Sequence, residues 1–427
     1  MSRMESVDLY LHNAEQVVTC ASREPKRGPE MAEPGVIGGG AVAVKNGRIV
    51  AVGPTGQLDE SFTADRVIDC TDRSVCPGLV DAHTHTVFAG DRAAEFELRI
   101  KGASYLDIMA AGGGIVSTVR HTRAASVDEL VCSATVRLDE MLALGTTTVE
   151  IKTGYGLSVE DELKMLQVIE RLDRDHPCDI VPTFLGAHAV PPEFDGNADT
   201  YARCVIDEIL PEAAAWYASS RFAARGVPMY IDVFCEDHAF DLEQSRQVLE
   251  AGIEAGFKAK MHVDQFNDFG GVAMALELGA ASVDHLDVTD RAGIEMLGGS
   301  DTIAVPLPAV NFNLGMADYA DARSMMDAGA VVALATDLNP GSAPCPSMPA
   351  VMAIACRYQR FSPAEALNAS TINAAYAIGQ GEVTGSIEVG KRADLLVLKS
   401  GDYRHIPYFF GGNPVHTVIK RGQVVDL

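Results

Sequence analysis

Positive charge is what this sequence has least of. Its 34 lysines and arginines face 59 aspartates and glutamates, a net charge of −25 over 427 residues. Proteins that bind nucleic acid concentrate basic residues, so no nucleic-acid partner is expected. An anionic small molecule would need a local cationic group to hold it against that field. Cysteine offers no framework either. The nine cysteines, at 20, 70, 76, 132, 178, 204, 235, 345 and 356, are odd in number and contain no Cys-x-x-Cys pair. That pattern excludes a disulfide scaffold and a zinc ribbon and fits a reducing compartment. No apolar run approaches the roughly 18 residues of a membrane span. The first residues show no basic segment leading into an apolar core, so a secretory signal is not expected. A cytoplasmic protein without a membrane partner is the resulting expectation. There is no Gly-x-Gly-x-x-Gly after a first strand, no repeat and no low-complexity tract.

What is present begins with a globular composition, 47% hydrophobic and 22% charged, able to bury a large core. Residues 1–75 read as β structure. Val7–His12 alternates in polarity, and Gly40–Val52 forms two strands about an Asn46-Gly47 turn, a strong hairpin signal. The stretch 21–39, with three prolines and glycines at 38–40, reads as a loop. From Cys76 the pattern changes. Eight short β-rich runs (76–85, 146–152, 179–187, 229–235, 258–264, 282–287, 302–308 and 331–337) alternate with helical spacing at 127–144, 158–174, 200–224, 241–256 and 269–279. Ser158 with Asp161, and Asp241 with Gln244, are plausible helix caps. Eight β/α units point to an α/β protein with a (β/α)8 TIM-type barrel over 76–382. A doubly wound open sheet is the alternative. After 382 the β pattern returns, with a strand within 385–398 and a hairpin over 416–425. Neither terminal piece is long enough for an easy core of its own. Residues 1–75 and 383–427 are therefore expected to pack together as one small β-sandwich domain.

The chemistry collects at the run ends, where TIM-type barrels carry their active sites. The first run ends in His83-Thr-His85. Alternate strand positions point the same way, so both imidazoles can aim at one point. Two surface histidines would be the plain alternative. The other runs end in Lys152-Thr-Gly-Tyr155, Gly186-Ala-His188, Cys235-Glu-Asp-His238, His262-Val-Asp-Gln265, Asp284-His285 and Asp337-Leu-Asn339-Pro-Gly341-Ser342. His83, His85, His262 and Asp337 together supply three imidazoles and a carboxylate. Such a set leaves an open position for water, whose pKa falls towards about 7 on a transition metal.

As a set these stretches resemble the amidohydrolase superfamily, with His-x-His after strand one, His after strands five and six, and Asp after strand eight. Within it the resemblance is to the imidazolonepropionase family. It is carried by His83–Arg92, Lys152–Leu157, Gly186–Ala189, His262–Gln265 and Thr336–Ser342. The resemblance implies one divalent or trivalent transition metal, zinc or iron, on His83, His85, His262 and Asp337. It implies His285 and Asp337 in proton transfer, with Gln265 a further candidate. It also implies a small anionic substrate touched by Arg92, Tyr105, Tyr155, His188, Gln265, Asn339, Gly341 and Ser342, and a homodimer. Each residue keeps a plainer reading: Arg92 as an ion-pair partner, Tyr105 and Tyr155 as packing, His188 as a capped strand-end histidine. His238, Asp264 and Asp284 read as supporting residues. The chain departs from binuclear relatives, which carry a lysine at the end of strand four; run four has none. The site is therefore read as mononuclear, and Lys152, on run two, as an ion-pair residue. Gly112–Gly114 lacks a Gly-Lys-Ser/Thr ending and reads as a loop over the pocket. A purine or pyrimidine base deaminase on the same fold, and a non-catalytic barrel, are the competing functions.

Overall fold

A computed structural model describes residues 4–103 and 113–426. Tyr105 and Gly112 lie outside the described residues. The chain forms two β systems. One takes strands from both ends of the sequence: β1 (Glu5–Val18), β2 (Val36–Lys45), β3 (Arg48–Pro54), β4 (Phe62–Asp69) and β5 (Ser74–Pro77). The other is built from β6 (Leu79–Asp81), β7 (Thr146–Lys152), β8 (Asp179–Ala187), β9 (Tyr230–Val233), β10 (Lys258–Val263), β11 (Ser282–His285) and β12 (Ile303–Val305). The chain then returns to the first system with β13 (Leu395–Leu398), β14 (Val415–Lys420) and β15 (Gln423–Val424).

The terminal strands pair in the order β15-β14-β13-β5-β1-β2-β3, with β4 parallel to β1, so eight strands join in one hydrogen-bonded sheet. Asn46 and Gly47 both take positive φ, 52° and 72°, which closes the β2–β3 hairpin with the twist its strands need. The loop expected over 21–39 is shorter than its composition suggests. β2 starts at Val36 and includes the three glycines. A Cβ on Gly40 would stand 2.6 Å from Cγ2 of Val17, so the close crossing of β1 and β2 requires glycine there.

β6 to β12 form a parallel sheet in strict chain order. Their burial is complete in β6 to β9, β11 and β12, which explains the continuous rather than alternating apolar runs. The eighth run, 331–337, lies between the two edges but forms no ladder. It makes isolated parallel bridges, Ala304 with Val332 and Thr84 with Leu338. Its backbone bonds are divided: Ala333 N–H donates to Ala304 O at 2.9 Å and Asp337 N–H to His83 O at 3.0 Å, at the two edges, while Leu334 N–H donates to Ala369 O at 3.0 Å and Thr336 N–H to Asp81 Oδ1 at 3.1 Å.

The expected helices flank the sheet at Val127–Ala143, Val159–Asp175, Leu242–Glu254 and Gly271–Glu277. Ser158 accepts from Asp161 N–H, and Asp241 with Gln244 forms a reciprocal capping box. The helix expected over 200–224 runs without a break through Ala198–Cys204, a π turn at Val205–Ile209 and Leu210–Ser219, and only extended Ser220 separates it from Arg221–Ala224. Pro211 lacks an N–H, which frees a carbonyl one turn back and favours the wider turn.

Where the two sheets meet, buried Asp179 at the start of β8 accepts from Lys420 Nζ at 2.7 Å and pairs with Arg392 and Arg421. Burial opposes the carboxylate, but the three cations outweigh it and hold Asp179 well below the usual range. Asp179→Asn should therefore cost about 3 kcal/mol at neutral pH, by breaking a buried pair. The sign with pH follows from a depressed folded pKa: the stabilisation is complete above about pH 3.9 and fades as pH falls through the folded value. Denaturant melts of parent and variant should show a deficit at pH 7 that shrinks in acid.

Candidate active site

Five side chains meet at the carboxyl ends of the parallel strands. His83 and His85 follow β6, His262 lies in β10, His285 ends β11 and Asp337 ends the eighth run. The ring centroids of His83 and His262 are 4.5 Å apart, and those of His262 and His285 5.3 Å. Asp337 Oδ1 stands 3.4 Å from His83 Nε2 and 3.3 Å from His85 Nε2. Two overlapping sets, His83/His85/His262 and His83/His285/Asp337, each bring their ligand atoms within 4.8 Å of one another. His285 and Asp337 hold positive φ, 83° and 52°, a strained backbone that clusters at functional sites.

Two carboxylates orient this group. Asp284 Oδ2 is 2.6 Å from His83 Nδ1, and Asp232 Oδ1 is 3.0 Å from His262 Nδ1. A histidine that donates from Nδ1 carries its lone pair on Nε2. Both Nε2 atoms are buried with no hydrogen-bond partner among the described residues, as are Asp337 Oδ1 and Nδ1 of His85 and His285. Beneath them lies a layer of ions. Lys152 Nζ bonds Glu150 Oε1 at 2.7 Å and Asp232 Oδ2 at 2.8 Å, and stands 3.8 Å from Asp284. Lys260 Nζ donates to Ala82 O at 2.8 Å. Burial alone would strip the Lys152 proton; the carboxylates of Asp232, Glu150 and Asp284 more than offset it and keep the ammonium charged. The four carboxylates of Glu150, Asp232, Asp284 and Asp337 thus face two ammoniums, all buried. Burial and the Lys152 charge oppose a proton on His83, but Asp284 and Asp337 outweigh them and hold its pKa above the usual value. Burial, above all, pulls His85 down to about 4 and His285 to about 3, so both are neutral at pH 7. Buried charge left uncompensated is costly unless it is paired or coordinates a metal. Orphaned nitrogens, a spare carboxylate oxygen and a negative surplus fit one metal cation.

Above the centre opens a cavity of about 810 Å³. Arg92, Tyr155, His188, Gln265, His285, Asn339, Gly341 and Ser342 line it, as does His238. Tyr155 rides on a loop fixed from below: buried Glu162 accepts N–H bonds from Gly154 (3.1 Å), Gly156 (2.8 Å) and Leu157 (2.9 Å). The same loop holds His188, whose Nδ1 is 3.0 Å from Gly154 O and whose ring stacks 4.9 Å from His85. Asn339 spends its amide on the turn, accepting from Gly341 and Ser342 N–H and donating to Asp337 O and Ser342 Oγ. Arg92 gives Nε to Glu95 at 2.7 Å and lays its guanidinium on Gly341, where a Cβ would stand 2.1 Å from Nη1. Asp264 accepts from Thr289 Oγ1 at 2.7 Å, away from the imidazoles.

Sequence reasoning missed Asp232, Glu150, Lys260, Glu162 and Arg99. Signals existed. Asp232 interrupts an apolar run, and Glu150 and Lys152 sit at i and i+2 of one strand and so share a face.

Two further observations classify the chain. A model of the amidohydrolase family matches residues 236–425, and one described as an imidazolonepropionase-like composite domain of bacteria matches residues 40–62. Solved structures share the architecture at low identity. They include an adenosine deaminase from Xanthomonas campestris with bound zinc (TM-score 0.69, 19% identity, covering 100% of this chain and 96% of that one) and the guanine deaminase of E. coli (0.71, 14%, 98% and 99%). Fold and site thus define an amidohydrolase, a metal-dependent hydrolase class. The curated imidazolonepropionase of Chloroflexus aggregans is 57% identical over 423 residues, 99% of each chain, and that of Geobacillus kaustophilus 47% identical over 424 residues, 98% of this chain and 97% of that one. The chain belongs to the imidazolonepropionase family.

The Asp232 contact carries a direct test. Asp232→Asn should weaken metal affinity by about 10- to 100-fold, because His262 trades a charged carboxylate acceptor for a neutral amide oxygen that no longer raises its basicity. Competition titration against a chromophoric chelator measures it.

Proposed function

We propose that this chain hydrolyses 4-imidazolone-5-propanoate to N-formimidoyl-L-glutamate, as a step of histidine degradation. The carrying observation is the full-length identity with imidazolonepropionases, joined to a buried set of imidazoles whose orphaned nitrogens converge with Asp337. His83, His85, His262 and Asp337 would hold one metal, zinc or iron, and the donor set suits either. When bound, that metal supplies Lewis acidity and brings a water's pKa towards about 7. The protein's own groups do the rest. Asp337 and His285 flank the same point, and burial keeps His285 neutral at pH 7, so the Asp337 carboxylate is the group placed to take the proton. One proton leaves the attacking water. One reaches the ring nitrogen as its bond to the carbonyl carbon breaks, and that carbon becomes the new carboxylate. Gln265, in the wall, can donate to or accept from the ring. Arg92, with Tyr155 and Ser342, would hold the propionate, since a guanidinium fork matches a carboxylate. Asn339 shapes the loop that presents Gly341 and Ser342, and His188 borders the reacting ring.

We infer likewise that the eighth run closes a (β/α)8 barrel over 76–382. Its single bridges to β12 and to Thr84 support that reading. Residues 1–75 and 383–427 then form the companion β domain. A cytoplasmic location is part of the same proposal; no helix among the described residues is long and apolar enough to cross a membrane.

Purified metal-loaded protein, assayed against 4-imidazolone-5-propanoate and a panel of purine bases, pyrimidine bases and other cyclic amides, should turn over the first. Deamination of a base without imidazolone opening would overturn the assignment. Chelation should abolish turnover and metal should restore it. Arg92→Ala should raise KM by the equivalent of about 2–4 kcal/mol, the cost of losing a buried charged hydrogen bond.

A further inference from the structure

The mouth of the cavity holds a second guanidinium. The helix Ala93–Ile100 begins directly after Arg92 and carries Glu95 and Arg99. Positions 92, 95 and 99 are spaced i, i+3 and i+7, which lines them along one helical face. All three line the cavity together with Gly341. Glu95 is the only carboxylate of that face in the wall, and it is already engaged. One oxygen takes Arg92 Nε at 2.7 Å and the other takes Gly114 N–H at 3.1 Å. Arg99 donates from Nη2 to Gly341 O at 3.1 Å. A guanidinium carries five N–H donors. Among the described residues these are the hydrogen bonds that Arg92 and Arg99 make, so most of each fork is uncommitted. The two cations are close enough to oppose each other: burial, then the Arg92 charge, pull the Arg99 guanidinium below its usual value.

Among the described residues of this helical face, two arginines stand against one carboxylate, a local positive excess in the cavity wall of a chain whose net charge is −25. A structural staple for the helix would need neither the second cation nor the open fork. We propose that Arg99 is a specificity-determining residue, the second half of a two-arginine clamp that selects a substrate with a carboxylate-bearing tail over uncharged rings. This rests on the substrate reading above and adds a residue to it. Both guanidiniums are anchored on Gly341, so the tail would be gripped beside the loop that follows Asp337, with the ring directed at the imidazoles below.

The test measures binding and turnover separately. Calorimetry on metal-loaded parent, Arg99→Ala and Arg99→Lys would use imidazole-4-propionate and its uncharged amide as probes. Arg99→Ala should weaken the acid by about tenfold or more, the worth of a hydrogen bond to a charged group. The amide should lose much less, and Arg99→Lys should recover part of the loss because the cation is restored. Equal losses for acid and amide, or no loss for either, would overturn the proposal and leave Arg99 a staple for the loop. Thermal melts of the three proteins show whether folding accounts for a loss. Parent turnover of 4-imidazolone-5-propanoate alongside equal probe losses would sink the clamp and keep the activity. A parent that binds neither probe and opens no imidazolone would sink both.

Discussion

The structure depends on a buried excess of negative charge. Glu150, Asp232, Asp284 and Asp337 are taken out of water at the bottom of the cavity, where among the described residues Lys152 and Lys260 answer part of their charge and His83 lies against Asp284 and Asp337. Isolated carboxylates do not survive such burial unless cations or donors meet them. Here the lysines compensate part of the charge and the carboxylates use their remaining oxygens to grip imidazoles. The result is an arrangement in which Nδ1 of His83 and Nδ1 of His262 each meet a carboxylate oxygen, which favours a proton on that nitrogen. Their Nε2 atoms are left without a hydrogen-bond partner among the described residues, as is Oδ1 of Asp337, and all three residues belong to the two overlapping clusters of ligand atoms. Each layer makes sense only with the other. The ion layer alone would be a costly core, and the imidazoles alone could turn.

Loops above this layer are held with similar economy. Glu162 collects three N–H groups of the Gly-Tyr-Gly loop, and that loop in turn fixes His188. Asn339 closes the turn after Asp337 with both ends of its amide. These side chains sit beside the cavity and spend their polar atoms on the backbone. The cavity is left to the imidazoles, the arginines, Tyr155, Gln265 and Asp337. Precision at the site therefore comes from neighbours that do no chemistry.

Much of this was legible in the linear chain. The runs that became β6 to β12 were visible because strands buried on both faces are continuously apolar. The converging histidines were visible because they end those runs. What escaped detection were groups whose meaning depends on a distant partner. Asp232 looks like an isolated polar residue until His262, thirty positions later, is laid beside it. Glu162 looks like one more acid in the first turn of a helix. The glycines at 38–40 look like loop, since nothing local shows that β2 crosses Val17 closely enough to exclude a side chain. The π turn at Val205–Ile209 falls in the same class: Pro211 is visible, but how the helix accommodates it is not.

The order of the elements, the histidine pattern and the acidic balance are properties of the chain itself, because periodicity and composition are local quantities. Which nitrogen each histidine offers, where the buried charge is left unmatched, and which arginines share one wall were decided only by the tertiary structure. Those depend on distances between residues tens to hundreds of positions apart, and on the loss of water that makes each such distance count.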